Sequence, residues 1–490
     1  MNDPNGTVFA DGVHHLYFQY NPNGDQWGDI GWGHATSTDL VHWQELPPAL
    51  AATPTEMAFS GSMVLDLSNS SGLAPAGHSG PPMVALYTGF HPVTKIQSQC
   101  LAYSLDGGRT LVRYAGNPVL DIGSQEFRDP KVFWHAPTRR WAMLVAMALE
   151  RQVWIYTSPN LIDWTQVSTF GPAGSSEANI WEMPDLFELP VTGPDGSASV
   201  EKRWVLIVSV NGGSLWGGSG VQYFVGDFDG ERFTADSSTW WPSGAGNAAT
   251  LPPLAERTRW ADFGRDFYAP MSFNHLPGGR VLWMGWMSNW AYARELPTSP
   301  WRGQQSMARE LSLVRTGRGL RLRQQPAPEV LAALPGRVVL DAHDLDAGRA
   351  MALLRDAALR SATLRLQLEL DRAGLTGPVT LSVLVGADER VQVGYDPAAD
   401  GYFVQRGARV RRFSGDGERH TAARLSPARQ YLDIDLWVDR STIELFADDG
   451  EIAIGDLAYN DPASQGVSLT IEGAACRVRR LRVTLLDGAG

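Results

Sequence analysis

A short turn-forming sequence recurs in the N-terminal half of the chain, each time directly after a run of residues typical of a β-strand. Residues 37–43 are Ser-Thr-Asp-Leu-Val-His-Trp, residues 158–164 are Ser-Pro-Asn-Leu-Ile-Asp-Trp, and residues 104–108, Ser-Leu-Asp-Gly-Gly, form a looser copy. The distance between the two complete copies can hold two units of about 60 residues, enough for four-stranded blades with extended loops. The repeat therefore favours a β-propeller, although a β-sandwich with turns rich in Ser, Asp and Gly would give a similar pattern.

Composition agrees with an all-β fold and excludes several classes of protein. The 490 residues include 51 Gly and 31 Pro, and 10% are aromatic, which is typical of many short strands joined by tight turns. The net charge of −12 argues against a nucleic-acid binder, which needs a basic surface. Because no apolar run reaches the roughly 18 residues of a membrane helix, we expect neither nucleic acid nor membrane as a partner.

The tryptophans divide the chain into two regions. All but one of the 18 Trp lie before residue 325, and the last is Trp437. Beyond residue 345, apolar and polar residues alternate, which predicts strands with one solvated face at residues 362–370, 431–438, 441–447, 467–471 and 478–485. Only residues 329–334 and 349–358 have a helical pattern, and the prolines at 326 and 328 favour an extended linker. We predict a catalytic region at 1–325, a linker at 326–344 and a β-sandwich at 345–490.

Three carboxylates stand beside prolines in aromatic surroundings. Asp3, Asp129 and Glu182 lie in the sequences Asn-Asp-Pro-Asn-Gly, Glu-Phe-Arg-Asp-Pro and Trp-Glu-Met-Pro-Asp-Leu-Phe. An Asp-Pro step keeps the Asp out of helical conformation, which suits a side chain that must be aimed. Glycoside cleavage needs one carboxylate to attack the anomeric carbon and one carboxylic acid to protonate the leaving oxygen. Taken singly, each segment is also a common turn former.

Metal and cofactor chemistry have no sequence support. The chain contains no His-Glu-x-x-His or Cys-x-x-Cys spacing and no phosphate-binding P-loop. The two Cys, Cys100 and Cys476, are far apart, which argues against a disulfide framework. We therefore expect no cofactor and no metal.

Together the three carboxylate segments resemble the signature motifs of glycoside hydrolase family 32, the β-fructosidases that include invertases, inulinases and levanases. Residues 1–6, 128–130 and 181–186 are similar to the family's Asn-Asp-Pro-Asn-Gly, Arg-Asp-Pro and Trp-Glu-Cys-Pro-Asp-Leu motifs, and residues 59–62 to a fourth motif. The likeness continues at 222–228, 262–268, 287–293 and 438–446, so it spans nearly the whole chain. It implies an all-β protein with a five-bladed β-propeller followed by a β-sandwich.

The resemblance also implies a role for each carboxylate. Asp3 matches the nucleophile, Glu182 the general acid/base and Asp129 the stabiliser of the transition state, with the first two carboxyl groups about 5–5.5 Å apart as in retaining glycosidases. Hydrogen bonds from Asn2 should favour the ionised form of Asp3, and packing against Trp181 should help Glu182 to hold a proton. The positions that match the surroundings of the terminal fructose are Asn2, Gln19, Trp27, Phe59, Ser60, Arg128 and Trp290.

The activity implied is the retaining release of terminal β-D-fructofuranosyl residues from fructans, levan or inulin, and from sucrose. Residues 290–302 look most like those of bacterial exo-acting levanases and inulinases. The alternatives are a sucrose-preferring invertase, a transfructosylating relative and a non-catalytic fructan-binding propeller. A secreted or periplasmic bacterial protein is expected, although no signal region is visible.

The sequence departs from the family pattern in two places. Met183 follows the acid/base position where the family usually has Cys, which we expect to shift the pH optimum. The presumed nucleophile is the third residue, whereas the family carries a further segment before its first motif. A terminus so close to the site should fray unless other residues hold it.

Overall fold

The computed structural model describes residues 1–175, 177–193, 198–236, 258–317, 319–407, 413, 417–426 and 429–486. The regular structure of these residues is mainly antiparallel β-sheet. Two α-helices, α1 (Pro328–Ala333) and α2 (Ala347–Asp356), and a 3-10 helix at Pro277–Gly279 accompany the strands. Within the described residues, no helix is long and apolar enough to cross a membrane.

Three four-stranded sheets come first, and in each the strands pair in chain order. The first contains β1 (Pro4–Ala10), β2 (Val13–Tyr20), β3 (Gly31–Ser37) and β4 (Gln44–Leu50). The second contains β5 (Met57–Leu65), β6 (Met83–Phe90), β7 (Gln97–Ser104) and β8 (Val112–Arg113). The third contains β9 (Phe127–His135), β10 (Arg140–Met147), β11 (Gln152–Ser158) and β12 (Thr165–Phe170).

An eight-stranded sheet follows, and it consists of two groups of four strands. The first group is β13 (Ile180–Thr192), β14 (Ala198–Asn211), β15 (Ser219–Phe228) and β16 (Phe233–Ala235). The second is β17 (Tyr268–Ser272), β18 (Leu282–Trp286), β19 (Arg309–Thr316) and β20 (Gly319–Pro326). Only a short parallel pairing of Val191 with Leu313 and Thr192 with Val314 joins the two groups.

The first strands of these five groups form a closed ring. β1 contacts β5, β5 contacts β9, β9 contacts β13, β13 contacts β17, and β17 contacts β1. The sheets are therefore arranged around a common centre, which the five first strands surround.

The repeated sequence occupies the same place in each of the first three sheets. Ser37, Ser104 and Ser158 are the last residues of the third strands β3, β7 and β11. Each hydroxyl accepts a backbone N–H from within the next four residues, at 2.8, 2.9 and 3.1 Å. The repeat is thus the turn between the third and fourth strands, where a Ser or Asp side chain replaces a backbone hydrogen bond.

The C-terminal region is a β-sandwich, as predicted. One sheet has the order β21 (Arg337–Asp346), β31 (Arg477–Leu485), β22 (Thr363–Asp371), β27 (Tyr431–Asp439), β28 (Thr442–Ala447) and β29 (Ile452–Leu457). The other has the order β26 (Arg419–Ala423), β25 (Gly401–Gly407), β24 (Arg390–Asp396), β23 (Val379–Val385) and β30 (Gly466–Ile471).

Alternation along β22 shows why this region forms a sandwich. Leu364, Leu366, Leu368 and Leu370 are fully buried between the sheets, and the residues between them are partly exposed. The strands predicted from alternation are confirmed, and so are both helices. Residues 326–344, predicted as a linker, contain α1 and most of β21, whose pairing with β31 makes it part of the sandwich.

Candidate active site

Each of the three candidate catalytic groups lies at the start of a ring strand or just before it. Asp3 precedes β1, and Asp129 and Glu182 are the third residues of β9 and β13. The predicted substrate-binding residue Ser60 lies in β5. Because these first strands contact one another around the ring, three motifs that are far apart in sequence meet at one end of it.

Asp3 is buried, with 9% of its surface exposed. Its Oδ1 accepts a hydrogen bond from Asn2 Nδ2 at 3.1 Å, and its Oδ2 accepts one from Ser60 Oγ at 3.0 Å. Gln19 links the two donors, since its Oε1 accepts from Asn2 Nδ2 and its Nε2 donates to Ser60 Oγ. Burial, followed by the Glu182 carboxylate, raises the pKa of Asp3 to about 7. The hydrogen bond from Asn2 is present as expected, but burial outweighs it.

Asp129 adopts a backbone conformation that is uncommon for residues other than Gly, with φ at 65°. Its backbone N–H donates to Thr88 Oγ1 at 2.9 Å, and its Oδ2 accepts the backbone N–H of Met183 at 2.9 Å. Burial raises the pKa of Asp129 to about 7 against the opposing charge of Arg128. Such local strain, held by neighbouring strands, is typical of a functional position.

Glu182 lies at an irregularity in β13. The pairing with β14 shifts register between Glu182 and Asp185, and Met183 in this bulge has φ at 48°. A bulge re-aims the side chains around it. Glu182 Oε1 accepts from Arg128 Nε at 3.2 Å, and Oε2 accepts from the Tyr268 hydroxyl. With 19% of its side chain exposed, Glu182 is the most open of the three carboxylates.

The three carboxylates act on one another electrostatically. Glu182 raises the pKa of both Asp3 and Asp129, and Asp3 adds to the shift of Asp129. Arg128 balances part of this charge, and it also donates to Glu126 Oε2 at 2.7 Å. The structure therefore brings together all three carboxylates and the Arg that the sequence singled out. The separation of about 5–5.5 Å between the Asp3 and Glu182 carboxyl groups stays a prediction.

Aromatic side chains border an open cleft beside these groups. The Trp27 side chain is 44% exposed and meets the ring of Phe59 edge-on at 5.8 Å. Trp290 packs on Trp286 with ring centroids 4.8 Å apart. Three of the predicted substrate-binding residues, Asn2, Trp27 and Trp290, line the same cleft.

The residues before the ring are held on two sides. Asn2 N–H donates to Gln19 O at 3.2 Å, and Gln19 N–H donates to Asp3 O at 3.0 Å, which extends the pairing with β2. Gln305 Nε2 donates to Asn2 O at 2.7 Å. The expected fraying is therefore not seen, because contacts from distant parts of the chain fix Asn2 and Asp3.

Sequence reasoning missed the hydroxyl that contacts the acid/base candidate. Tyr268 is the last residue of the stretch 262–268, which resembled the family. The direction of its hydroxyl depends on how the first strands are arranged around the centre, which the motif does not predict. Trp181 instead packs in the core against Phe170 and Phe224 at 6.4 and 6.1 Å. Neighbouring strand residues point to opposite faces, so the aromatic side chain at Glu182 is Tyr268 and not the expected Trp181.

Sequence reasoning also missed a buried ion pair between strands of the ring. Lys131 Nζ lies 3.1 Å from Asp185 Oδ2, and both side chains are 2% exposed. Lys131 also donates to Ser272 O at 2.7 Å, so the pair joins β9, β13 and β17. Only the contact between these strands could have revealed it. In the described part of the chain, no group of three or more His, Cys, Asp or Glu is placed to hold a metal ion.

Clustered carboxylates at the centre of an all-β domain, opening on an aromatic cleft, are the features of a glycoside hydrolase. The family description "Glycosyl hydrolases family 32 N-terminal domain" matches residues 1–326, and "Glycosyl hydrolases family 32 C terminal" matches residues 340–484. The chain belongs to glycosyl hydrolase family 32, and the resemblance of its motifs is confirmed.

Named relatives agree with this membership. The levanase of Bacillus subtilis (strain 168) is 39% identical over 99% of this chain and 68% of its own length. An extracellular exo-inulinase of Aspergillus niger is 36% identical over 93% of this chain and 86% of its own length. The crystal structure of exo-inulinase from Aspergillus awamori superimposes with a TM-score of 0.89 at 32% identity, covering 100% of this chain and 96% of that chain.

Proposed function

We propose that this glycoside hydrolase releases terminal β-D-fructofuranosyl units from levan or inulin, and from sucrose, with retention of configuration. The relatives named levanase and exo-inulinase support the substrate class. The observation that carries the proposal is the electrostatic coupling of Asp3, Asp129 and Glu182 at one end of the ring.

The reaction follows from two of these carboxylates. In the first step, the ionised Asp3 carboxylate bonds to the anomeric carbon as the glycosidic bond breaks, and Glu182 gives its proton to the leaving oxygen. In the second step, Glu182 takes a proton from water, whose oxygen displaces Asp3 and releases fructose. Both carboxyl groups then return to their starting states, and two displacements leave the anomeric configuration unchanged.

The other predicted residues position the substrate in this proposal. Asp129 accepts hydrogen bonds from fructose hydroxyls, and Arg128 holds the Glu182 carboxylate through the bond at 3.2 Å. Asn2, Gln19 and Ser60 orient Asp3 through their linked hydrogen bonds. The apolar walls of the cleft come from Trp27, Phe59 and Trp290.

The proposed catalytic region, residues 1–325, is a five-bladed propeller. The three four-stranded sheets and the two groups of the eight-stranded sheet supply five units, and the ring of five first strands supports this count. A parallel pairing limited to two residue pairs supports treating the eight-stranded sheet as two blades. The sandwich, predicted as residues 345–490, packs against this propeller.

In this proposal the enzyme acts from the chain end, because the residues around Asp3 and Asp129 bind one terminal fructose at a time. A chain that continues past this site would leave buried hydrogen-bonding groups unpaired, at a cost of about 1–3 kcal/mol each. Early digestion of levan should therefore release fructose with little fall in polymer length. A ladder of medium-sized oligosaccharides in the first minutes would refute the exo assignment.

Product profiles on levan, inulin and sucrose, run side by side, test the substrate class. Hydrolysis of a fructan at least as efficiently as sucrose is expected. Preference for sucrose would indicate an invertase, and accumulation of fructosyl oligosaccharides would indicate a transfructosylating enzyme. Binding of fructans without any release of fructose would indicate a binding propeller, which the coupled carboxylates argue against.

Because the relative from Aspergillus niger is named extracellular, we propose a secreted or periplasmic location.

A further inference from the structure

The segment that leads into β17 lies along the edge strand β29 of the sandwich. Phe263 N–H donates to Ala453 O at 2.8 Å, and Asp266 N–H donates to Gly455 O at 2.9 Å. In the opposite direction, Leu457 N–H donates to Asp266 Oδ2 at 2.9 Å. The residues just before β17 are therefore positioned by the C-terminal domain.

A buried triangle of polar side chains joins the two domains at this point. The Tyr292 hydroxyl donates to Asp266 Oδ1 at 2.5 Å, and Arg406 Nη1 donates to Asp266 Oδ2 at 2.7 Å. Arg406 Nη1 also donates to the Tyr292 hydroxyl oxygen at 3.3 Å. Asp266 and Tyr292 come from the N-terminal domain, whereas Arg406 lies in β25 of the sandwich. None of the three is more than 2% exposed.

Two members of the triangle are close in sequence to residues of the candidate active site. Asp266 is two residues before Tyr268, whose hydroxyl donates to Glu182 Oε2. Tyr292 is two residues after Trp290, which lines the cleft. A shift of the triangle would therefore move the donor to Glu182 and one wall of the cleft together.

The loop that carries Trp290 is tied to the same segment by a separate bond. Asn289 Nδ2 donates to Arg265 O at 2.9 Å, and Asn289 is fully buried. The backbone N–H of Trp290 donates to Ser219 Oγ at 3.0 Å. The loop and the segment thus form one connected layer between the sandwich and the site.

We propose that Arg406 and Tyr292 are positioning residues for catalysis, which act through Asp266 to hold the Tyr268 hydroxyl against Glu182. The sandwich thereby contributes a side chain to the arrangement of the active site. The inference rests on the proposed role of Glu182 as acid/base.

The chemical consequence concerns proton transfer from Glu182. The Tyr268 hydroxyl orients Glu182 Oε2, so a displaced Tyr268 leaves the proposed acid misaligned with the leaving oxygen. The other groups that face Glu182 are Arg128 and Asp129 from β9 and Asp3 before β1. Loosening Tyr268 should therefore slow the departure of a poor leaving group more than that of a good one.

The variant Tyr292→Phe tests this proposal without changing the charged groups around the triangle. Asp456 Oδ1 and Glu418 Oε2 each lie 3.9 Å from a nitrogen of Arg406, and His420 Nδ1 lies 2.7 Å from Asp456 Oδ2. Tyr292→Phe removes only the hydroxyl and keeps all of these groups.

The sandwich offers a matched control. The Tyr402 hydroxyl donates to Asp448 Oδ1 at 2.6 Å, and Arg424 Nε donates to Asp448 Oδ2 at 2.8 Å. This buried Tyr-Asp-Arg set has the same chemistry, but it lies within the C-terminal domain. Tyr402→Phe therefore reproduces the loss of a buried hydroxyl without touching the layer beside the site.

The experiment measures kcat and KM on sucrose, and the rate on an activated fructoside with a good leaving group, for both variants. Tyr292→Phe should lower kcat on sucrose about fivefold, leave KM within about twofold and leave the rate on the activated fructoside within about twofold of the wild type. Tyr402→Phe should leave all three as in the wild type. In a Tyr268→Phe background, adding Tyr292→Phe should change kcat less than about twofold, because the route through Tyr268 is already cut.

The inference would be overturned by an equal loss on sucrose and on the activated fructoside, or by the same change in Tyr402→Phe. Fully additive losses of kcat for Tyr268→Phe and Tyr292→Phe would also overturn it. If the wild type releases no fructose, the proposed function fails. Crystal structures of Tyr292→Phe and Tyr402→Phe then decide the positioning role. A longer contact between the Tyr268 hydroxyl and Glu182 in Tyr292→Phe alone supports it, and an unchanged contact contradicts it.

Discussion

The N-terminal ring and the C-terminal sandwich both bury carboxylates between antiparallel strands, but they treat the charge differently. In the sandwich, Asp448 is fully buried and accepts a hydrogen bond from Arg424, an opposite charge, at 2.8 Å. In the ring, Asp3 accepts hydrogen bonds from neutral side chains, and the like charge of Glu182 raises its pKa. Pairing with a cation is the usual way to bury a carboxylate, whereas mutual repulsion is typical of functional sites.

The difference belongs to the site and not to the ring as a whole. Lys131 and Asp185 form a buried ion pair at 3.1 Å in the same ring, and Lys131 is two residues after Asp129 in β9. The fold can therefore neutralise a carboxylate where structure requires it. If Asp3, Asp129 and Glu182 are the catalytic residues, as proposed, we expect their coupled burial to lower stability while it serves the reaction.

The largest expected effect is that of Asp3→Asn, which removes the proposed nucleophile. We expect kcat on sucrose to fall about 10⁴-fold, because the amide cannot form the covalent intermediate.

Asp3→Asn should also raise the unfolding temperature above that of the wild type at pH values above 7. Burial of the charged form costs nothing below the ordinary pKa of 3.8, grows with pH and is complete above about 7. Calorimetry at pH 4 and pH 8 checks this, and a lower midpoint at pH 8 would contradict it.

The matched change in the sandwich should behave in the opposite way. Asp448→Asn leaves Arg424 buried without its counter-charge, so the free energy of unfolding should fall by about 3 kcal/mol. Because this pair lies outside the site, kcat of the folded fraction should stay as in the wild type. Denaturant unfolding and steady-state kinetics on the same sample give both quantities. A loss of activity in the folded fraction would break the contrast between the two regions.

Glu182→Ala separates protonation from nucleophilic attack. We expect hydrolysis of sucrose to fall about 10³-fold, since its leaving group needs the proton. A fructoside with a good leaving group should still form the covalent intermediate at a rate close to that of the wild type. Equal losses on both substrates would assign Glu182 another role.

The pH dependence should report the unusual state of Asp3. Attack requires the ionised form, and burial raises the pKa of Asp3 to about 7. The acid limb of kcat/KM should therefore lie well above the ordinary value of 3.8, with a loss of about tenfold per pH unit below it. An acid limb near pH 4 would contradict this, because it would show that the ionised form of Asp3 is stabilised as well as that of a carboxylate paired with a cation.

The smallest effect concerns the wall of the cleft. Trp27→Ala should raise KM for sucrose about fivefold with little change in kcat, because the ring contacts bound sugar without taking part in the reaction. Trp134 is a matched control, since it is 41% exposed and packs on Trp141 at 5.1 Å. Trp134→Ala should leave KM unchanged. Equal shifts in both variants would indicate a general effect on stability.

The sequence predicted local features well where a pattern of neighbouring residues determines them. Alternation in residues 362–370 gives β22, and the Asp-Pro step keeps Asp3 out of a helix, directly before β1. The carboxylate motifs could be assigned because each is a short run of residues with its own chemistry. Their meeting at one end of the ring depends on contacts between distant strands, which the motifs predict only through the family resemblance.

Contacts between distant segments explain what the sequence could not predict. Tyr268 reaches Glu182 only because β17 lies beside β13 in the ring. Arg406 lies far along the chain from Tyr292, and no spacing rule connects them. The sequence also did not determine which side of β13 Trp181 faces, because the bulge after Glu182 cannot be predicted from residue types.

The outermost strands of the first two sheets have a consequence for the behaviour of the protein at high concentration. β4 contains Pro47 and Pro48, which lack a backbone N–H, and β8 has only two residues. A free sheet edge can pair with a strand of another molecule and begin aggregation, and prolines or very short strands prevent this. Each of these two sheets therefore ends in an edge that a neighbouring chain cannot extend.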